Sequence, residues 1–150
     1  MLIFLDIDGV LVPATGWKPA PNLADGFPSF TKKATTALQD LLSDNPTIIL
    51  SSSHRDRFTI IQWKKIFFER GLNINNLDRL QPRNGDLKRN EEIQEWFTTH
   101  AVNEDFVIID DDSRLNDLPE HLRAHLLVTS PLVGLTPEHV PRVRALASKK

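Results

Sequence analysis

The chain has 150 residues, of which 40% are hydrophobic and 25% charged, as is ordinary for one globular domain. It has no cysteine, which excludes disulfides, thiolate metal sites and a cysteine nucleophile. The net charge of −2 provides no general attraction to nucleic acid, so a polyanionic substrate would need a local basic patch. The candidates for such a patch are Arg55, Arg57, Lys64, Lys65, Lys88 and Arg89. Most of them are interpreted as solvated charges on helix faces.

The N-terminal segment MLIFLDIDG lacks a basic leader and carries two acids within its apolar stretch, so no signal peptide is expected. No apolar run approaches the ~20 residues that would span a bilayer. We therefore expect a cytoplasmic protein without a membrane partner.

Short apolar runs alternate with amphipathic segments, which predicts strands alternating with helices. Proline and glycine punctuate the stretch after the first run, so no regular helix is expected there. The predicted elements are, in chain order, a strand over 2–7, a loop or small hairpin over 9–28, a helix from Ser29 or Thr31 to about 43, a strand over 47–50, a helix over about 57–70, a short strand near 77–81, a helix over about 86–99, a strand over 106–109, a short helix near 118–123, a strand over 126–128 and a C-terminal helix opened by Thr136-Pro137-Glu138.

This order predicts one α/β domain over residues 1–150, a Rossmann-like three-layer sandwich around a mostly parallel sheet. Residues 10–30 form the one stretch long enough to act as a lid, and they are too few for a separate cap domain. An open site of this kind favours a bulky substrate, such as a nucleic-acid end or a phosphoprotein. Trp17 and Phe27 in this stretch could stack on a base or pin the loop to the body of the domain.

Acids and hydroxyls follow three of the predicted strands, where ligands bind in open parallel sheets. Crowded carboxylates repel one another unless a cation is present, and hard oxygen ligands suit Mg²⁺. A solvated turn with a helix cap is the alternative interpretation of the three consecutive aspartates. The strand-end residues are Asp6 and Asp8, then Ser51 and Ser52, then Asp110, Asp111 and Asp112.

These residues resemble the motifs of the haloacid-dehalogenase (HAD) superfamily, in the right order and over nearly the whole chain. Residues 6–10 (DIDGV), after a hydrophobic strand, are similar to the first motif, and Ser51 to the second. Lys88 or Arg89 stands where the basic third motif belongs, and Asp110-Asp111 resembles the acidic fourth.

A narrower resemblance is to the compact HAD domains of multi-domain RNA-repair proteins. It is carried by residues 51–55 (SSSHR), 91–96 (EEIQEW) and 134–136 (GLT). His54 departs from that pattern, in which a tryptophan is expected. His54 and Arg55 are candidate substrate contacts. For His54 the alternatives are a group that supports other residues of the site and an ordinary surface histidine.

The resemblance implies a Mg²⁺-dependent phosphatase. Asp6 would attack phosphorus and form an aspartyl-phosphate, and Asp8 would act as general acid and then general base. The Asp6 carboxylate, the Asp8 backbone carbonyl and an acid of the fourth motif would hold Mg²⁺. Asp111 is preferred for that acid over Asp110.

For each phosphate ligand the sequence leaves a choice between two adjacent residues. The hydroxyl of Ser51 or Ser52 and nearby backbone N–H groups would bind phosphoryl oxygens. Lys88 or Arg89 would offset negative charge. Lysine is usual for the third motif, whereas Arg89 has the slightly better spacing.

Two other classes compete with a phosphatase. One is a HAD-fold binding or scaffold domain without turnover, which the intact Asp6/Asp8 pair argues against. The other is a response-regulator-like receiver, but receivers place the phosphorylated acid after a later strand.

Overall fold

The computed structural model describes residues 1–14, 21–82 and 85–149. None of the helices within these ranges is long and apolar enough to cross a membrane. The elements are β1 (Leu2–Leu5), α1 (Lys32–Leu42), β2 (Thr47–Leu50), α2 (Ile60–Phe68), β3 (Asn76–Arg79), α3 (Arg89–Thr99), β4 (Phe106–Asp110), a 3-10 helix (Ser113–Asp117), α4 (Glu120–Arg123), β5 (Leu126–Val128), a second 3-10 helix (Pro137–His139) and α5 (Val140–Ala147).

The five strands form one sheet in the order β3-β2-β1-β4-β5, and every neighbouring pair is parallel. β1 lies at the centre, where Leu5 is in register with Leu50 of β2 and Ile109 of β4. The strand order reverses between β1 and β4, so the carboxyl ends of these two strands flank the crevice where ligands bind in such sheets. The predicted α/β sandwich with a parallel sheet is confirmed.

Alternate residues of β1 supply the two faces of the sheet, as the period of a strand requires. Ile3 and Leu5 pack into one core with α1, α2 and α5, whereas Leu2 and Phe4 pack into a second core with α3 and α4. Helices therefore cover both faces, which explains why β1 is a continuous apolar run.

Several elements are shorter than the sequence predicts, because side-chain caps and early turns set their ends. The first strand ends at Leu5 and not at Ile7, since the Ile7 carbonyl accepts N–H groups from residues 10–12 and turns the chain. α2 begins at Ile60 because Thr59 caps it by accepting from the Gln62 N–H. α3 begins at Arg89, after Glu91 Oε1 accepts from the Lys88 N–H.

The end of the predicted lid, residues 21–30, is tied to the body of the domain by Arg70. Its guanidinium pairs with Asp25 at 2.6 Å and donates to the carbonyls of Phe27 and Pro28. The Phe27 side chain is 1% exposed and packs edge-on against Trp63, so Phe27 pins the loop and is not free to stack on a base. Trp17 lies outside the described residues.

Candidate active site

Three aspartates meet where β1 and β4 lie side by side. Asp6 directly follows β1, Asp110 ends β4 and Asp111 comes next. One carboxylate oxygen from each lies within 4.8 Å of the others. Asp6 and Asp110 are 4% and 0% exposed, so two of the three carboxyls are removed from water. The cluster occupies the crevice at the point where the strand order reverses.

Crowding and burial change the acidity of this cluster. Burial and the charge of Asp110 raise the pKa of the Asp6 carboxyl from 3.8 to about 9. Burial also raises the pKa of Asp111. Asp6 therefore holds a proton at neutral pH unless further positive charge is present.

Arg89, the first residue of α3, lowers the pKa of Asp6 but does not return it to the usual range of a carboxyl. Its Nη1 lies 2.6 Å from Asp110 Oδ2 and 3.4 Å from Asp6 Oδ1. Burial disfavours the guanidinium charge, but the carboxylates of Asp110 and Asp6 outweigh it and raise the pKa of Arg89. Arg89 contacts two of the three carboxyls, and its single positive charge does not balance three carboxylates, so a bound cation would stabilise the cluster.

The donor set fits a hard divalent cation. All three candidate ligands are carboxylate oxygens, which suit Mg²⁺ better than a soft transition metal. The Asp8 side chain is not part of this cluster and is half exposed. β1 ends at Leu5, so Asp6 and Asp8 both lie in the loop after the strand.

The loop after β1 closes tightly over the acids. Gly9 has a positive φ of 77°, and a Cβ there would lie 2.0 Å from Asp111 Oδ2. Thr129 Oγ1 donates to the Gly9 carbonyl at 2.7 Å. At Gly134 a Cβ would lie 2.5 Å from the Val10 carbonyl oxygen, so the GLT segment closes against this loop.

Thr129 was not predicted as a site residue. It directly follows β5, so the strand-end criterion that identified the other polar residues would have found it. The hydroxyl is buried beneath the loop and supports it.

The two serines after β2 differ in their hydrogen bonds. Both are buried, but Ser52 Oγ accepts from the His54 N–H at 3.1 Å. Within the part of the chain that the structure describes, Ser51 Oγ is the one buried side-chain nitrogen or oxygen atom without a hydrogen-bond partner. An unpaired buried hydroxyl is unfavourable by about 1–3 kcal/mol, which a ligand oxygen would relieve.

Arg55 does not lie at the surface. Its side chain is 1% exposed and forms a buried ion pair with Glu92 of α3. The guanidinium also donates to the carbonyls of Gln81 and Ser52, so Arg55 supports the loop after β2. As a candidate substrate contact it is therefore not supported, because its donors are used inside the protein. His54, in contrast, is partly exposed and contacts Asp8.

Lys88 and Asp112 stand apart from the three-aspartate cluster. Lys88 is the exposed residue before α3. Asp112 caps the 3-10 helix that follows β4 and pairs with Arg114 at 2.8 Å. The structure thus brings Arg89, and not Lys88, to the acids.

The chain forms a compact α/β domain with a parallel sheet, and its described residues include no cap domain. Aspartates lie at the carboxyl ends of β1 and β4. This is the architecture of HAD-like domains. The model of the family described as "HAD domain in Swiss Army Knife RNA repair proteins" matches residues 2–140, and the chain belongs to this family. A comparison with curated proteins finds no match.

Proposed function

We propose that this domain is a Mg²⁺-dependent phosphomonoester hydrolase that works through an aspartyl-phosphate on Asp6. The observation that carries the proposal is the cluster of Asp6, Asp110 and Asp111 facing Arg89 at the strand ends. A buried carboxyl with a raised pKa beside a cation is typical of a catalytic group. Membership of a HAD family supports the same chemistry.

Each group has a defined task in this proposal. Asp6 attacks phosphorus while Asp8 protonates the leaving oxygen, and Asp8 then takes a proton from the water that releases phosphate. Mg²⁺, held by the carboxylates of Asp6, Asp110 and Asp111 with the Asp8 backbone carbonyl, would supply positive charge to the phosphoryl oxygens. Arg89 lowers the pKa of Asp6, would favour the ionised carboxylate together with the cation, and offsets charge in the intermediate.

Ser51 is the preferred ligand for a phosphoryl oxygen. Its buried hydroxyl has no partner among the described residues, whereas the Ser52 hydroxyl already accepts a hydrogen bond. A phosphoryl oxygen would accept from Ser51 Oγ and remove the desolvation penalty.

We propose phosphorylated nucleic-acid ends or nucleotides as the substrate. The family is one of HAD domains in RNA repair proteins, which supports a phosphorylated nucleic-acid substrate. The site has no cap domain over it among the described residues, so a polymer end has access.

The test is phosphate release from a generic aryl phosphate with and without Mg²⁺. Asp6→Asn should abolish turnover. Asp112→Asn is the matched control, because Asp112 is a neighbouring acid that pairs with Arg114 outside the cluster. Phosphorylated oligonucleotides, nucleotides and phosphopeptides would then be compared by kcat/KM.

Equal rates for wild type and Asp6→Asn would contradict the nucleophile. A wild-type protein that is inert on every ester would instead favour the binding or scaffold domain. If kcat/KM for nucleotides and oligonucleotides is no higher than for phosphopeptides, the proposed substrate class is wrong.

A further inference from the structure

The Asp8 carboxylate is held by one side chain. His54 Nε2 lies 2.7 Å from Asp8 Oδ2, although the two residues are 46 apart in sequence. The Asp8 side chain is 52% exposed, and His54 is the one side-chain partner it has in the described part of the chain. Without this contact an exposed aspartate would sample several rotamers.

Two contacts of His54 and the buried side chain of the next residue fix its position. Its backbone N–H donates to Ser52 Oγ, and its ring meets Phe27 edge-on at 5.8 Å between centroids. The next residue, Arg55, is buried and bonded to Glu92 and to the carbonyl of Gln81. The imidazole therefore projects towards Asp8 from a loop that has little freedom to move.

We propose that His54 is a positioning residue that orients the Asp8 carboxylate for proton transfer. This inference rests on the proposed phosphatase function. Contact of Nε2 with Oδ2 leaves Oδ1 available to the leaving oxygen, and proton transfer depends on such geometry.

The protons balance without a net change at His54. An Asp6 oxygen forms the new bond to phosphorus as the bond from phosphorus to the leaving oxygen breaks, and that oxygen takes the Asp8 proton. Water then attacks phosphorus, its proton passes to Asp8 and the Asp6 carboxylate is released. His54 keeps the same hydrogen-bonding role in both steps.

The test compares His54→Phe with His54→Gln. Phenylalanine keeps a ring against Phe27 but has no nitrogen, whereas glutamine carries an amide nitrogen at similar reach. For each variant, kcat/KM is measured on an aryl phosphate with an activated leaving group and on an alkyl phosphate. This parameter covers the steps up to cleavage of the ester bond.

His54→Phe should lose about tenfold more on the alkyl ester than on the aryl ester, because only the poor leaving group needs the proton and general acids contribute roughly 10²–10⁴-fold. His54→Gln should restore most of that difference. In an Asp8→Asn background, His54→Phe should have no additional ester-selective effect.

Equal losses on both esters, or a glutamine variant no better than phenylalanine, would overturn the role of His54 alone. A wild-type protein inert on both esters and on the phosphorylated oligonucleotides, nucleotides and phosphopeptides would overturn the phosphatase proposal, and this inference with it. If the phenylalanine variant fails to fold, His54→Asn replaces it, because the shorter amide does not reach the carboxylate.

Discussion

Gly9 lies so close to Asp111 that a methyl group on its Cα would stand 2.0 Å from Asp111 Oδ2. The position of Asp111 therefore requires a residue without a Cβ at position 9 in the loop after the first strand. We expect Gly9→Ala to displace Asp111 and to weaken Mg²⁺ binding by roughly 10–100-fold, the range seen when a group that orients metal ligands is lost. Isothermal titration with Mg²⁺ measures this.

Gly26→Ala is the matched control for that substitution. Gly26 has a similar positive φ of 81°, but no atom lies within 4 Å of its added Cβ. Both variants should lose about 1–2 kcal/mol of stability from the left-handed backbone. If Gly9→Ala binds Mg²⁺ as tightly as Gly26→Ala, Asp111 does not depend on the glycine.

Arg89 and Lys88 are adjacent, but only Arg89 contacts the acids. We expect Arg89→Ala to lower kcat/KM by roughly 10²–10³-fold, as when one preorganised charge-stabilising group is removed. Arg89→Lys keeps the charge but loses the fork geometry, so its loss should be intermediate.

Lys88→Ala should have a much smaller effect, since its side chain is exposed at the start of α3. Kinetics with saturating Mg²⁺ give all three values, with circular dichroism to show that each variant folds. A larger loss from Lys88→Ala than from Arg89→Ala would make Lys88 the basic group of the site.

The raised pKa of Asp6, about 9, makes the metal-free protein sensitive to pH. Below pH 4 both the folded and the unfolded states hold this proton, and the stabilisation of the folded state by protonated Asp6 is fully present. Between pH 4 and 9 the unfolded state releases the proton while the folded state retains it, so this contribution is lost progressively as pH rises through about 9.

Asp6→Asn removes the titrating group. We expect it to raise the free energy of unfolding relative to wild type at pH 8, with a difference that shrinks towards pH 4. Urea denaturation in EDTA at several pH values measures this. A difference that stays constant with pH would show that Asp6 is not the group responsible.

The buried ion pair between Arg55 and Glu92 predicts a stability effect and not a substrate effect. Arg55→Ala leaves Glu92 uncompensated and should lower the free energy of unfolding by about 3–5 kcal/mol. Arg144→Ala is the control: that side chain is 38% exposed and pairs with Asp40 and Asp44, so about 1 kcal/mol or less is expected. An Arg55→Ala variant of normal stability with a raised KM would restore Arg55 as a substrate contact.

Local sequence patterns were sufficient for the order of the strands and α-helices, whereas the 3-10 helix over Ser113–Asp117 was not predicted and the C-terminal segment begins with a 3-10 helix before α5. The apolar run before Asp6 and the run from Phe106 to Ile109 both form interior strands. They were predictable because a strand buried on both faces is a continuous apolar run in the sequence. Their ends were less well predicted: the turn at Ile7 depends on carbonyl contacts that no local pattern encodes.

Residue types and their places after strands therefore determined that Asp6, Asp110 and Asp111 would gather at one edge, since parallel strands bring their carboxyl ends together. Tertiary structure alone decided between adjacent residues. Whether Arg89 or Lys88 faces the acids depends on where α3 begins and how it is rotated against the sheet. The contact of His54 with Asp8 joins two loops 46 residues apart, and its distance is set by the register of β1 against β2 together with the buried anchors of each loop.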